Sequence, residues 1–159
     1  MITVEDIEKL LEGERPLNLS GEDLRGLEMG GLDLSGAQLD GAHLRKSFLC
    51  ECNLQRVSLV GADLCRADLT DADAADADLT EASLLNACAI FVNFEGANLE
   101  RVDFTGAGIE GSRFSSATRL RGAKMDRVLA PSHIFVDGLR VERHAAGAWL
   151  AERSAVTAA

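Results

Sequence analysis

Tyrosine is absent from the 159 residues, proline occurs twice, tryptophan once, and aromatic residues make up only 4% of the chain. Nearly half of the residues are nevertheless apolar, and 15 are glycine. So lopsided a composition points to internal repetition, and a period is the first thing to look for. The four cysteines form no paired framework, which excludes a small secreted fold held by disulfides. No apolar run approaches membrane-spanning length. The opening Met1-Ile2-Thr3-Val4-Glu5-Asp6 is acidic and lacks the basic start and apolar stretch of a signal peptide, so a reducing cytoplasm is expected. Basic residues are in deficit, with 16 Lys and Arg against 26 Asp and Glu and a net charge of −10. That excludes nonspecific nucleic-acid binding, which depends on neutralising phosphates, and attraction to anionic membranes. It fits a soluble protein, or one with a basic partner.

What is present is a period of five. From Leu19 to Phe114 an apolar residue recurs at every fifth position for twenty units, thirteen of them Leu, with Met29, Ala74, Ala89, Phe94, Phe104, Ile109 and Phe114 as the others. Two residues before each lies a small residue, chiefly Ala, interrupted only by Leu17, Glu22, Leu27 and Leu32. Asp or Asn falls between the two in most units, as in Ala62-Asp63-Leu64 and Ala97-Asn98-Leu99. A spacing of five matches neither a helix nor a plain strand. The two apolar positions are two apart, so they share one face of a short extended segment, and the remaining residues must turn the chain. Ten glycines sit two positions after the large apolar residue, where a corner with positive φ suits them.

This A(D/N)LXX pattern closely resembles the pentapeptide-repeat family over residues 17 to about 128. The resemblance implies an all-β fold, a right-handed quadrilateral β-helix of about five to six coils, four pentapeptides to a coil. Leu19, Leu39, Leu59, Leu79 and Leu99 then stack in one ladder, and the rod is on the order of 25 Å long. From Phe114 to Leu120 is six residues, so Ser115 to Thr118 is expected to bulge at a corner.

Three segments follow: residues 1–16 as an N-terminal capping helix, 17–130 as the solenoid and 131–159 as a C-terminal helical cap or dimerisation segment, since an open solenoid exposes its core at both ends. The first helix is placed over Thr3 to Glu12, with Thr3 and Asp6 as a capping box, Ile2 and Ile7 as a staple, and Val4, Ile7, Leu10 and Leu11 as its apolar stripe. Ile134, Phe135 and Val136 are expected to close the last coil, and a second helix to run from Leu139 to Arg153 with Asp137-Gly138 at its start. It is either a cap or a homodimer seam, in which Ala145, Ala146 and Gly147 allow close approach while Trp149 and Leu150 supply the apolar contact. Some members of the family dimerise through C-terminal elements.

Chemistry is sparse. His43, His133 and His144 are scattered, and Cys50 and Cys52 point to opposite sides of the coil wall, a poor metal clamp. No phosphate loop or nucleophile elbow occurs, so no catalytic, cofactor-binding or metal-binding residue is assigned and no enzyme is expected. Two surface features stand out. Between Arg66 and Arg101 there is no Lys or Arg but eight acids, Asp68, Asp71, Asp73, Asp76, Asp78 and Glu81 within a single coil, then Glu95 and Glu100. These are a solvated band whose Asp side chains bond to nearby turn backbone, or a recognition surface. The second feature is a set of apolar residues in outward phases. Phe48, Ile90 and Phe91 should share one face, with Asp68 and Asp71 between them. They form a partner site, or the small Ala89 lets Ile90 or Phe91 tuck inward.

The reading that results is a non-catalytic bacterial interaction module with a protein partner. An alternative comes from the resemblance, because some members of the family are acidic rods that mimic DNA and bind DNA gyrase and topoisomerase IV. The chain is shorter than those rods, and no long loop interrupts its coils.

Overall fold

The computed structural model describes residues 2–13, 16–129 and 132–155. Helix α1 spans Val4–Leu11. Its start follows from Thr3, whose hydroxyl accepts from Asp6 N while the Asp6 carboxylate accepts from Thr3 N at 2.9 Å. Ile7 is fully buried, with Ile2, Val4 and Leu11 packed beside it. Leu10, expected on the apolar stripe, is instead exposed, so the buried side of the helix is confined to Ile7 with Val4 and Leu11 partly covered.

From Asn18 to Asn93 each residue in the Asp/Asn phase bridges in parallel to the residue twenty positions later, as in Phe48↔Asp68↔Cys88↔Gly108. Four corners fall in each twenty residues, so the coil has four sides and the chain is a β-solenoid. The hydrogen bonding of one pentad explains its sequence. Asp68 N donates to Ser47 O in the previous coil, while Leu69 N and Asp71 N donate to Cys88 O and Ile90 O in the next. Ala72 N closes the corner by donating to Leu69 O. Only Thr70 N lacks a backbone acceptor, and it donates to Asp68 Oδ1 at 3.0 Å. Asn53, Asp63, Asp73, Asp78, Asn93, Asn98 and Asp103 take the equivalent N–H in their own units. An N–H left without an acceptor is costly, which favours Asp or Asn in that phase.

The large and small apolar positions fill the interior almost without exposure. Where Ala89 is too small, Phe94 and Phe104 in the same coil supply the volume, meeting edge to face at 6.1 Å. The period breaks where expected. Asn98 pairs with Arg119, twenty-one positions on, and the extra residue is absorbed at a corner where Thr118 Oγ1 accepts from Ser115 N and donates to Phe94 O.

The last segment departs from the sequence expectation. Strand β1, Arg113–Phe114, pairs in parallel with β2, His133–Val136. Residues 139–142 are a third strand, β3, Leu139–Glu142, antiparallel to β2. Asp137 and Gly138, both at positive φ (49° and 76°), form the two-residue turn of that hairpin and not the start of a helix. Helix α2 begins four residues later and spans Arg143–Ser154. The β-branched and aromatic run Ile134-Phe135-Val136, an Asp-Gly pair and the alternating Leu139-Arg140-Val141-Glu142 make a hairpin pattern, and it outweighs the helical propensity of the alanines that follow.

Candidate functional site

One side of the solenoid, the Phe48 face, carries the bridge column Glu28–Phe48–Asp68–Cys88–Gly108–Leu129. Beside that column run Gly30, Cys50, Thr70, Ile90 and Glu110. Two rows of corners bound the face, one with Lys46, Arg66 and Asn86, the other with Glu51, Asp71 and Phe91, all six at positive φ. Side chains there project outward because the ladder above and below fixes the backbone. Phe48 is 46% exposed and Phe91 51%. Ala89 remains fully buried without drawing a neighbour in: its N–H donates to Gly108 O and Phe91 N to Glu110 O, the regular pattern. Phe91 stays outside, its ring lying against Gly111, where any side chain would collide with it. Ile90 is half-buried and within van der Waals reach of position 108.

Phe48 and Phe91 lie two coils apart, about 10 Å along the axis, with Asp68 and Asp71 between them. A hollow of about 370 Å³ beside Phe48 is lined by Glu28, Gly30 and Cys50. Around the Phe91 corner a groove of about 360 Å³ is lined by Asp71, Asp73, Asn93, Arg113 and Phe135 among others.

The acids divide into two kinds. Asp68, Asp73 and Asp78 each hold a turn N–H, and Asp73 also accepts from Asn93 Nδ2 and Gln55 Nε2, at 2.8 and 2.6 Å. Asp71 and Asp76 stand at corners, exposed, with Asp76 lying against Gly96. From Asp68 to Glu81 the acids go round the circumference, one on each side or corner in turn, and do not run lengthwise.

At the C-terminal end, Ala146 and Leu150 are buried, and Trp149 packs against Phe114 with ring centres 5.6 Å apart, the Arg153 guanidinium lying over the Trp149 ring. Ala145, Gly147 and Ala148 face outward. Arg153 also donates to Ser116 O and Thr118 O, fastening the helix to the bulged corner.

Sequence reasoning missed one polar cluster. Glu110 accepts from Ser132 N and from the Ser132 hydroxyl, and lies 3.1 Å from His133 Nδ1. The hydroxyl and the carboxylate meet the same ring nitrogen, so there is no relay from acid through histidine to nucleophile, and the cluster acts as a latch for β2. The Ser132 bonds hold the Glu110 carboxyl below the usual range. Residues 110 and 132 belong to different coils, and the break in period hid their pairing. Two of the thiols are held protonated by burial, which pushes Cys52 up to about 11 and raises Cys65.

Set against known proteins, the chain matches the profile of the family described as pentapeptide repeats, in eight copies, over residues 18–56, 33–71, 58–90 and 90–128. Among solved structures it is similar to HetL, a pentapeptide repeat protein involved in heterocyst differentiation regulation from the cyanobacterium Nostoc sp. strain PCC 7120. Identity is 30%, with 83% of this chain and 55% of HetL covered and a TM-score of 0.49. A pentapeptide repeat protein of the Arabidopsis thaliana thylakoid lumen is 31% identical over 66% of this chain and 69% of its own, with a TM-score of 0.46. QnrB1, a plasmid-mediated fluoroquinolone resistance protein, is 17% identical over 87% of this chain and 86% of its own, with a TM-score of 0.39. The chain therefore spans about half the length of HetL. No curated protein matches it in sequence.

Proposed function

The chain belongs to the pentapeptide-repeat family, and from that premise we propose that it is a non-catalytic protein-interaction module whose working surface is the Phe48 face with the Phe91 corner. One observation carries the reading. At a corner where the backbone favours glycine, a phenylalanine is held half-exposed in a left-handed conformation, φ 58°, on a shelf left free by Gly111. An exposed aromatic kept rigid at a local conformational cost is the kind of anchor that dominates binding energy. In this reading α1 and the hairpin with α2 are end caps, and the four thiols remain free in a reducing cytoplasm. The test is proximity capture in cells with the wild-type protein and a Phe48→Asp/Phe91→Asp variant that melts at the same temperature. A partner retained equally by both proteins would sink the assignment of this face.

A second reading rests on the acidic girdle. In it the protein contacts the DNA-binding surface of a topoisomerase such as DNA gyrase, with Asp71 and Asp76 as its unpaired corner charges. A duplex, however, presents charge along its length, one per about 1.7 Å, and here the acids circle the rod. A gyrase supercoiling assay with and without fluoroquinolone decides the matter: inhibition or drug protection lost in Asp71→Asn/Asp76→Asn would support the mimic. A homodimer through the C-terminal segment would use Ala145, Gly147 and Ala148. Ala145→Glu would then shift the sedimenting mass to that of a monomer.

A further inference from the structure

The Phe48 face lies between two rows of opposite charge. On one side stand Lys46 and Arg66, on the other Glu51 and Asp71, all four exposed. Within each row the two belong to successive coils, about 4.8 Å apart at the backbone, as the bonds Lys46 N to Cys65 O and Glu51 N to Thr70 O require. None of the four forms an ion pair with another described residue. Another corner row behaves differently: there Glu81 and Arg101, also on successive coils, neutralise each other at 2.8 Å. Between the charged rows lie Phe48 and, one coil on, Asp68; Ile90 follows in the next coil, between Asn86 and Phe91, and the hollow beside Phe48 is lined by Gly30, where a Cβ would come within 3.1 Å of Cys50 Sγ. The result is a face that carries Phe48 and Ile90, with the bonded pair Asp68 and Thr70 in the coil between them, and that has a cationic and an anionic edge.

We propose that this face holds an amphipathic α-helix of a partner protein, lying along the solenoid axis, with acidic side chains over Lys46 and Arg66 and basic side chains over Glu51 and Asp71. The proposal rests on the reading that this face binds a protein, and adds the chemistry of the partner. Spacing favours a helix. One coil advances about 4.8 Å, close to the roughly 5.4 Å pitch of an α-helix. An extended strand repeats a side every 6.8 Å or so and falls out of step within two coils. Charge also sets direction. Turning a helix end for end on the face exchanges its flanks, so a helix with one acidic and one basic flank fits in one direction only.

The test uses synthetic peptides titrated into the full chain by fluorescence anisotropy. The probe is a helix of about six turns with leucines at i, i+3, i+4 and i+7, glutamates along one flank and lysines along the other. Its controls are a scrambled peptide, one with lysines on both flanks and one with glutamates on both. The mixed-flank helix is expected to bind at least about tenfold tighter than the scrambled peptide, and Phe48→Ala or Ile90→Ala to weaken it about tenfold. The Lys46→Glu/Arg66→Glu variant, whose altered side chains point into solvent, should transfer its preference to the all-lysine peptide. Equal binding of mixed and scrambled peptides, or an unchanged preference in the charge-reversed variant, overturns the helix. A displayed library of random peptides, selected on the wild type and counter-selected on Phe48→Ala/Phe91→Ala, separates the two levels. Face-dependent binders without charged flanks or helicity refute the helix and leave the face standing, whereas an absence of face-dependent binders refutes both.

Discussion

The corners at the N-terminal end of the solenoid and those at its middle share a backbone conformation and a bond to the next coil, but not their residues. Gly21, Gly26, Gly31, Gly36 and Gly41 succeed one another at φ 63–73°. From Lys46 to Phe91 the φ values of the non-glycine corners are 55–61°, yet Gly61 is the only glycine among them. A left-handed L-residue costs roughly 1–2 kcal/mol. The middle coils bear that cost because each corner N–H is tied to the next coil, as Asp71 N is to Ile90 O at 3.0 Å. The ladder therefore imposes the conformation, and glycine is a convenience at the end of the rod that the middle gives up in exchange for charges and Phe91.

That contrast can be broken most severely from the inside. Leu69→Asp places an unpaired charge in a central coil, where the leucine is fully buried, and is expected to cost about 5 kcal/mol or more and abolish a cooperative melt. A retained cooperative transition would show the register to be wrong. The two kinds of acid separate next. Asp73→Ala strands Ala75 N and the amides of Asn93 and Gln55, and should cost about 2 kcal/mol in denaturant unfolding. Asp71→Ala should cost close to nothing; equal losses would erase the distinction between structural and displayed carboxylates.

Exchanging the corners themselves is a finer probe. Asp71→Gly should stabilise by about 1 kcal/mol or less, and Gly31→Asp should destabilise by about 1 kcal/mol, read as midpoint shifts in urea. Gly111→Ala should cost more than Gly31→Ala, because the Phe91 ring must also leave its shelf.

The smallest effect is that of pH on the C-terminal latch. Glu110 has its folded carboxyl held below the ordinary 4.5, so its contribution is full above that pH and is lost as pH falls below it through the folded value. Hydrogen exchange at residues 132–142 should accelerate over that interval, and Glu110→Gln should remove this dependence. Acceleration confined to a higher pH would point to a different group.

Much of the fold was open to inspection because five-residue periodicity is a one-dimensional signal. Apolar phases, glycine corners, the break before Leu120 and the capping box at Thr3 all follow from local rules. The candidate face was partly legible too, since adding twenty to a residue number finds its neighbour: Phe48, Asp68 and Cys88 align that way. The same arithmetic on the corner phase aligns Glu51, Asp71 and Phe91, and likewise Lys46 with Arg66. The C-terminal segment resisted, because a hairpin competes there with helix-forming alanines and no period arbitrates. Trp149 could be read from its neighbours as an outward anchor or an inward plug, and it packs on Phe114.

The repeat alone thus dictated a coil, its core and the hydrogen-bonding duty of each Asp or Asn, since every unit meets the same neighbours above and below. Three dimensions were needed to settle which way α2 turns its tryptophan, whether Phe91 stays outside, and that Asp73 is tied into the wall while Asp71 stands exposed at a corner. Those outcomes depend on what lies across a corner or beyond the last regular coil, where contacts are no longer related by the period and no local pattern encodes them.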